Sequence, residues 1–226
     1  MNVMSVQKLT LLDYPGHTAC TLFVSGCNYA CPYCHNADLQ RPNFHKALDL
    51  TDIFEFLTLR RNVLDGVCIT GGEPTLQEYL IPTLTTIRSF GYHIKVDTNG
   101  THPEVLMDLV KYNLVDYVAM DVKAPLHKYA KVAGTAEPNI EAIVQSIEFL
   151  KIAPIQYEFR TTVSHPLHQV EDFVDIGELL QGAKALYIQN ASLIYPRSIP
   201  CSETTLKRML ETVRKYVPNA QIRGEG

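Results

Sequence analysis

The chain has no apolar run near the roughly 18 residues that a membrane-crossing helix requires, so a helical membrane protein is excluded. Its opening stretch, Met1 to His17, lacks the uninterrupted apolar centre of a secretory leader, and a soluble, cytoplasmic protein is expected. Basic charge is not in excess either. Twenty Lys and Arg stand against 24 Asp and Glu, a formal net charge of −4, and that balance does not suit a long phosphate backbone. Neither a nucleic acid nor a membrane is expected as a partner. Internal repeats, low-complexity tracts and charge blocks are absent. Disulfides are not needed, because a chain of 226 residues buries enough surface to be stable without such staples.

What is present is an alternation. Short runs rich in Val, Ile, Tyr and Thr predict strands at Thr18–Ser25, Gly66–Thr70, Tyr92–Thr98, Tyr117–Val122, Gln156–Val163 and Ala185–Asn190. They are nearly continuously apolar in places, as strands covered on both faces should be. Between them lie apolar stripes at helical spacing: Leu76, Leu80, Leu84 and Ile87; then Ile140, Ile143, Val144, Ile147 and Leu150 behind Pro138 and Asn139. Thr101 and Glu104 read as a capping box for a helix reaching about Tyr112. Val170, Phe173, Val174 and Leu180 predict another helix, and Leu206, Met209, Leu210, Val213 and Tyr216 the last. Six strand-then-helix units specify an α/β fold with a mostly parallel sheet. A doubly wound sheet and a curved, incomplete barrel both fit this pattern.

In either architecture, binding groups gather at the carboxyl ends of the strands. Those ends read Gly26–His35, Gly71–Pro74, Thr98–Gly100, Lys123–Pro125, Ser164–His168 and Asn190–Ser192, where nearly all the unusual polar and glycine-rich clusters fall. One site at that edge is expected. Within it, Cys27-Asn-Tyr-Ala-Cys31-Pro-Tyr-Cys34 is a C-x3-C-x2-C array. Three thiolates on one short loop can wrap three corners of a cubane iron–sulfur cluster and leave the fourth iron open. A zinc site with His35 as fourth ligand is the bland alternative, made awkward by the adjacency of Cys34 and His35. Arg160 lies inside a predicted strand, where charge is expensive unless paired or functional. Cys20 and Cys68 lie in strands and are expected to be buried; Cys201, in a polar loop, is expected to be exposed, as are His165 and His168.

The cysteine array, Tyr33 before its last cysteine, and Gly71-Gly72-Glu73-Pro74 after the next strand resemble the radical S-adenosylmethionine (SAM) superfamily. Cys34-His35-Asn36, Asp97-Thr98-Asn99-Gly100 and Met120-Asp121-Val122-Lys123 resemble its glycyl-radical-enzyme activases, most of all the longer form of those acting on anaerobic ribonucleoside-triphosphate reductase. The resemblance implies a single domain over 1–226, a partial (β/α)6 TIM-like barrel with its core at about 12–190 and a last helix at about 203–217. It implies a [4Fe–4S] cluster on Cys27, Cys31 and Cys34, with SAM chelating the open iron. Reductive cleavage of SAM would give a 5′-deoxyadenosyl radical that takes hydrogen from a backbone glycine of the partner enzyme. By the same resemblance Tyr33 borders the adenine, Gly71, Gly72 and Glu73 meet the methionine ammonium, and Pro74 fixes that turn. Lys123 and Arg160 face the carboxylate or ribose, and Asp97, Thr98 and Asp121 line the cofactor and hold a monovalent cation in some activases. With no ferredoxin-like insert of further cysteines, the electron is expected from a flavodoxin or ferredoxin. Two other enzyme readings stay open: an activase of another glycyl radical enzyme such as pyruvate formate-lyase, and a small-molecule radical enzyme like 7-carboxy-7-deazaguanine synthase. A zinc-bound interaction module is the third.

Overall fold

A computed structural model describes residues 1–42, 47–191 and 199–224. Eight strands form one sheet: β1 (Val3–Thr10), β2 (Ala19–Val24), β3 (Gly66–Gly71), β4 (His93–Thr98), β5 (Tyr117–Asp121), β6 (Gln156–Val163), β7 (Leu186–Asn190) and β8 (Gln221–Arg223). Their order in the sheet is their order in the chain. A doubly wound sheet reverses its strand order part-way; this one never does, so the open choice between the two architectures resolves to the curved, partial TIM-like barrel. From β2 to β8 every neighbouring pair is parallel, whereas β1 runs antiparallel to β2.

The six expected strands are β2 to β7, each within a residue or two of its predicted bounds. The two edge strands were not read from the sequence. Val3–Thr10 is half-buried with an irregular register against β2, so its apolar alternation is broken. Gln221–Arg223 has only three residues.

The crossovers carry α1 (Leu50–Arg60), α2 (Leu80–Ser89), α3 (Pro103–Lys111), α4 (Tyr129–Ala133), α5 (Ile140–Ile152), α6 (Asp172–Leu179) and α7 (Glu203–Val213). Asn139 caps α5 by accepting from the Ala142 N–H, and Ser202 caps α7 by accepting from that of Thr205, each satisfying an orphan donor of the first turn. The expected capping box at Thr101 does not form: α3 starts at Pro103 without a side-chain cap, and the Thr101 hydroxyl instead accepts from Asn28 Nδ2 (2.9 Å) and donates to Asn99 Oδ1. Leu76 belongs to a short 3-10 turn ahead of α2 and is largely exposed. No helix among the described residues is long and apolar enough to cross a membrane.

Alternation along each strand separates two environments. Leu22, Ile69, Val96, Val118, Phe159 and Ile188 join the main core under the helices. The residues between them point inward: Tyr117 and Ala119 pack with Tyr14 and Ala19 in a second, smaller cluster, and above that layer the interior turns polar. Cys20 and Cys68 are both buried, as expected. Cys201 is buried too, against expectation, because the Asn190 side chain bonds both its N–H and its carbonyl and draws the segment onto β7. Ser192, at the predicted end of that strand's loop, lies outside the described residues.

Candidate active site

The cysteine loop leaves β2 and is tied down by backbone. The N–H of Gly26 donates to Leu39 O (2.8 Å), that of Cys27 to Gln40 O (2.9 Å) and that of Ala30 to Ala133 O (3.0 Å). The last bond joins the loop to the end of α4. Tyr29 and Tyr129 face each other in the same contact, with ring centroids 6.2 Å apart, and the Tyr129 hydroxyl accepts from the Lys123 N–H (3.1 Å).

Cys27, Cys31 and Cys34 are free thiols and all border one cavity of about 330 Å³ at the carboxyl ends of the strands. The Tyr29 N–H lies 3.4 Å from Cys27 Sγ and Asn99 Nδ2 lies 4.0 Å from it, so donors face the sulfur, as they do around cluster ligands. Burial pushes the Cys27 thiol up to about 11 and raises that of Cys31. Among the described residues, no three His, Cys, Asp or Glu side chains gather around a point as ligands of a single ion would. Among the described residues, the hydroxyls of Tyr29 and Tyr33 are buried beside the cavity without a hydrogen-bond partner, a costly state that a bound group with acceptor atoms would relieve.

Gly71, Gly72 and Glu73 form another wall. A Cβ at Gly72 would sit 2.2 Å from the Gly26 carbonyl oxygen, so the glycine there lets two loops of the site close on each other. Glu73 also has partners within the protein. Its Oε1 accepts from the N–H and hydroxyl of Thr75 and from the Thr98 hydroxyl (2.7 Å), and its Oε2 accepts from the Asn99 N–H (2.7 Å). The carboxylate therefore ties the ends of β3 and β4 together, and its burial raises its pKa. Pro74 opens the 3-10 turn behind it and is not part of the cavity wall.

The floor is a ladder of alternating charge. Lys95 pairs with Asp97 Oδ1; Arg160 Nη1 reaches Asp97 Oδ2 (3.1 Å) and its Nε reaches Asp121 Oδ1 (2.8 Å); Lys123 reaches Asp121 Oδ2 (2.8 Å). Burial alone would raise both carboxyls, but Arg160 and the lysines win and hold Asp97 and Asp121 below the usual carboxylate range. Three cations face two carboxylates, so the ladder has positive charge to spare. Each of the four carboxylate oxygens meets a cation, and the Thr98 hydroxyl donates to Glu73. A surplus cation on one wall and a lone carboxylate on another suit a zwitterion, the form of an amino acid.

Sequence reasoning missed two residues here. Lys95 carries the signal that marked Arg160, charge inside a strand, and was passed over. His168 carried none: a loop histidine is normally solvated, yet this one is buried. Its Nδ1 accepts from the Ser164 N–H (3.1 Å), its Nε2 donates to the Lys123 carbonyl (2.8 Å), and its ring stands edge-on to Tyr33 at 5.7 Å.

A family model described as "Radical SAM superfamily" matches residues 21–181. The chain belongs to the radical SAM superfamily. It is 32% identical, over 98% of its own length and 95% of the relative's, to a Methanocaldococcus jannaschii protein named "Putative glycyl-radical enzyme activating enzyme MJ1227". It is 28% identical to a pyruvate formate-lyase-activating enzyme of Clostridium pasteurianum, over 65% of this chain and 63% of that one. Its fold matches the crystal structure of Streptococcus suis SuiB bound to precursor peptide SuiA with a TM-score of 0.70, at 17% identity, over 89% of this chain and 48% of SuiB. Radical SAM enzymes use a [4Fe–4S] cluster and SAM, and the residues present fit both. Cys27, Cys31 and Cys34 would hold the cluster, while the ladder and the Gly71–Glu73 wall would take the amino-acid end of SAM.

Proposed function

We propose that this chain activates a glycyl radical enzyme, and that the enzyme is anaerobic ribonucleoside-triphosphate reductase. The observation that carries the reading is the likeness to a glycyl-radical enzyme activating enzyme over nearly the whole of both chains. The cavity supports it, because three free thiols and a charged, zwitterion-matching floor open onto one space. The motifs Cys34-His35-Asn36, Asp97 to Gly100 and Met120 to Lys123 are what favour the reductase among possible partners.

The chemistry that the bound cluster and SAM supply is one-electron cleavage of a carbon–sulfur bond, releasing methionine and a deoxyadenosyl radical that takes hydrogen from a partner glycine. The electron comes from a flavodoxin or ferredoxin. The residues of the chain do the rest. Lys123 and Arg160 bind and orient the carboxylate end of SAM, and Asp97 and Asp121 fix the directions of those cations. Tyr33, on the cluster loop with its ring against that of His168, walls the cavity against water.

The test is a low-temperature EPR spectrum of the anaerobically reconstituted, reduced protein mixed with SAM and the reductase. A glycyl-radical doublet growing as the reduced-cluster signal falls is expected, and Cys31→Ala should abolish it. A cluster signal perturbed by SAM with no glycyl radical would reject this partner.

A further inference from the structure

We propose that Lys95, which does not line the cavity, is a positioning residue for SAM: it supplies the charge that leaves the ladder with a free cation for the SAM carboxylate. The inference rests on the chain's superfamily and not on which partner it activates. Lys95 lies in the middle of β4 and is 2% exposed. Taking an ammonium out of water is costly unless it is well paired. Its Nζ bonds Asp97 Oδ1 and lies 3.8 Å from Cys68 Sγ, and it stands 5.9 Å from the centre of the Tyr117 ring. Among the described residues, the Asp97 carboxylate is its one anionic partner.

The consequence follows from the order of the ladder. Asp97 shares its charge between Lys95 below and Arg160 above, and Asp121 shares its own between Arg160 and Lys123. With Lys95 present, one positive charge of Arg160 and Lys123 is left over at the cavity. Without it, two carboxylates and two cations cancel, and Asp97 draws Arg160 inward. Two further carboxylates stand outside the ladder. Glu158, on the same face of β6 as Arg160, is matched by both terminal nitrogens of Arg223 (2.6 and 2.7 Å), and Glu73, whose partners Thr75, Thr98 and Asn99 are neutral, keeps its negative charge for the ammonium end of SAM.

The test measures equilibrium binding to the cluster-loaded protein by dialysis, with SAM and with decarboxylated SAM. Lys95→Met should weaken SAM about tenfold and change decarboxylated SAM by less than twofold. Lys95→Met combined with Asp97→Asn removes one charge of each sign, keeps the surplus, and leaves an amide carbonyl in place of the carboxylate to accept from Arg160; it should restore SAM affinity to within about threefold of wild type. Equal weakening of both ligands, or a double variant as weak as the single one, would reduce Lys95 to a strut and overturn the proposal. So would a Lys95→Met protein that binds SAM as wild type does. If Lys95→Met does not fold, the double variant decides: near-wild-type SAM binding supports the proposal, and tenfold loss overturns it.

Discussion

His168 Nε2 donates to the main-chain carbonyl of Lys123 across 2.8 Å, while the Ser164 N–H points at its Nδ1. One neutral imidazole thereby joins the loop after β6 to the loop after β5 and holds the backbone from which Lys123 reaches Asp121. His168→Phe keeps a ring against Tyr33 but orphans a buried N–H and a carbonyl. It should cost about 2 kcal/mol, a fall of roughly 4–8 °C in melting temperature for a chain of this size. Differential scanning calorimetry checks this; an unchanged melting temperature would show that the bridge carries no stability.

The same residue gives the fold a pH dependence. Burial lowers the His168 pKa, and its contacts with the Lys123 and Ser164 backbone offset this only in part. The folded protein therefore binds a proton there less readily than the unfolded chain, whose histidine titrates near 6.5. Stability from this group is complete above that value and is lost as pH falls through the lower folded one. Melting temperature should drop below pH ~6.5 and do so less steeply in His168→Phe; parallel curves would contradict the assignment. Asp97 and Asp121 act further down, since their depressed folded pKa values make their contribution vanish only as pH falls below the ordinary carboxylate range.

The legible parts of this protein were those fixed by local spacing. The C-x3-C-x2-C loop, the Gly-Gly-Glu turn and the inner strands β2 to β7 can be read because a short stretch of chain specifies each. What stayed hidden depends on residues far apart. Glu73 also bonds Thr98 and Asn99, about 25 positions on, so its carboxylate braces two strands as well as lining the cavity. His168 is buried only because the loop after β5 folds over it, and Cys201 only because Asn190 captures its backbone. The edge strands escaped for a different reason: a half-solvated irregular strand and a three-residue one lack the alternation that marks a strand.

Gly134 ends α4 with φ +65°. A Cβ there would sit 2.2 Å from the carbonyl oxygen of Ala30, which belongs to the cysteine loop and, being backbone, cannot swing aside. Gly134→Ala adds the cost of a left-handed non-glycine residue, about 1–2 kcal/mol, to the displacement of that loop. Cluster retention should therefore fall together with stability. Iron and sulfide content after reconstitution, measured beside the melting temperature, checks both; full cluster occupancy in the variant would show that the α4 end does not set the loop.

Glu158 is fully buried in the barrel interior and accepts from both terminal nitrogens of Arg223 and from the Tyr117 hydroxyl at 2.6 Å. Burial alone would raise its carboxyl; Arg223 and Tyr117 outweigh burial and hold it below the ordinary value. Three-residue β8 therefore owes its place to one ion pair as much as to its ladder with β7. Arg223→Met leaves a carboxylate buried with only a phenol for company. Removing one partner of a buried pair costs up to 3–5 kcal/mol; since the Arg223 side chain is 32% exposed, solvent softens this to about 2 kcal/mol. Glu158→Gln combined with Arg223→Met removes the stranded charge as well and should recover at least half of that loss. Denaturant titration of the two variants separates the outcomes: if the double variant is no more stable than the single, then packing of Arg223 on the Tyr187 ring, 3.8 Å away, and not its charge, holds the strand.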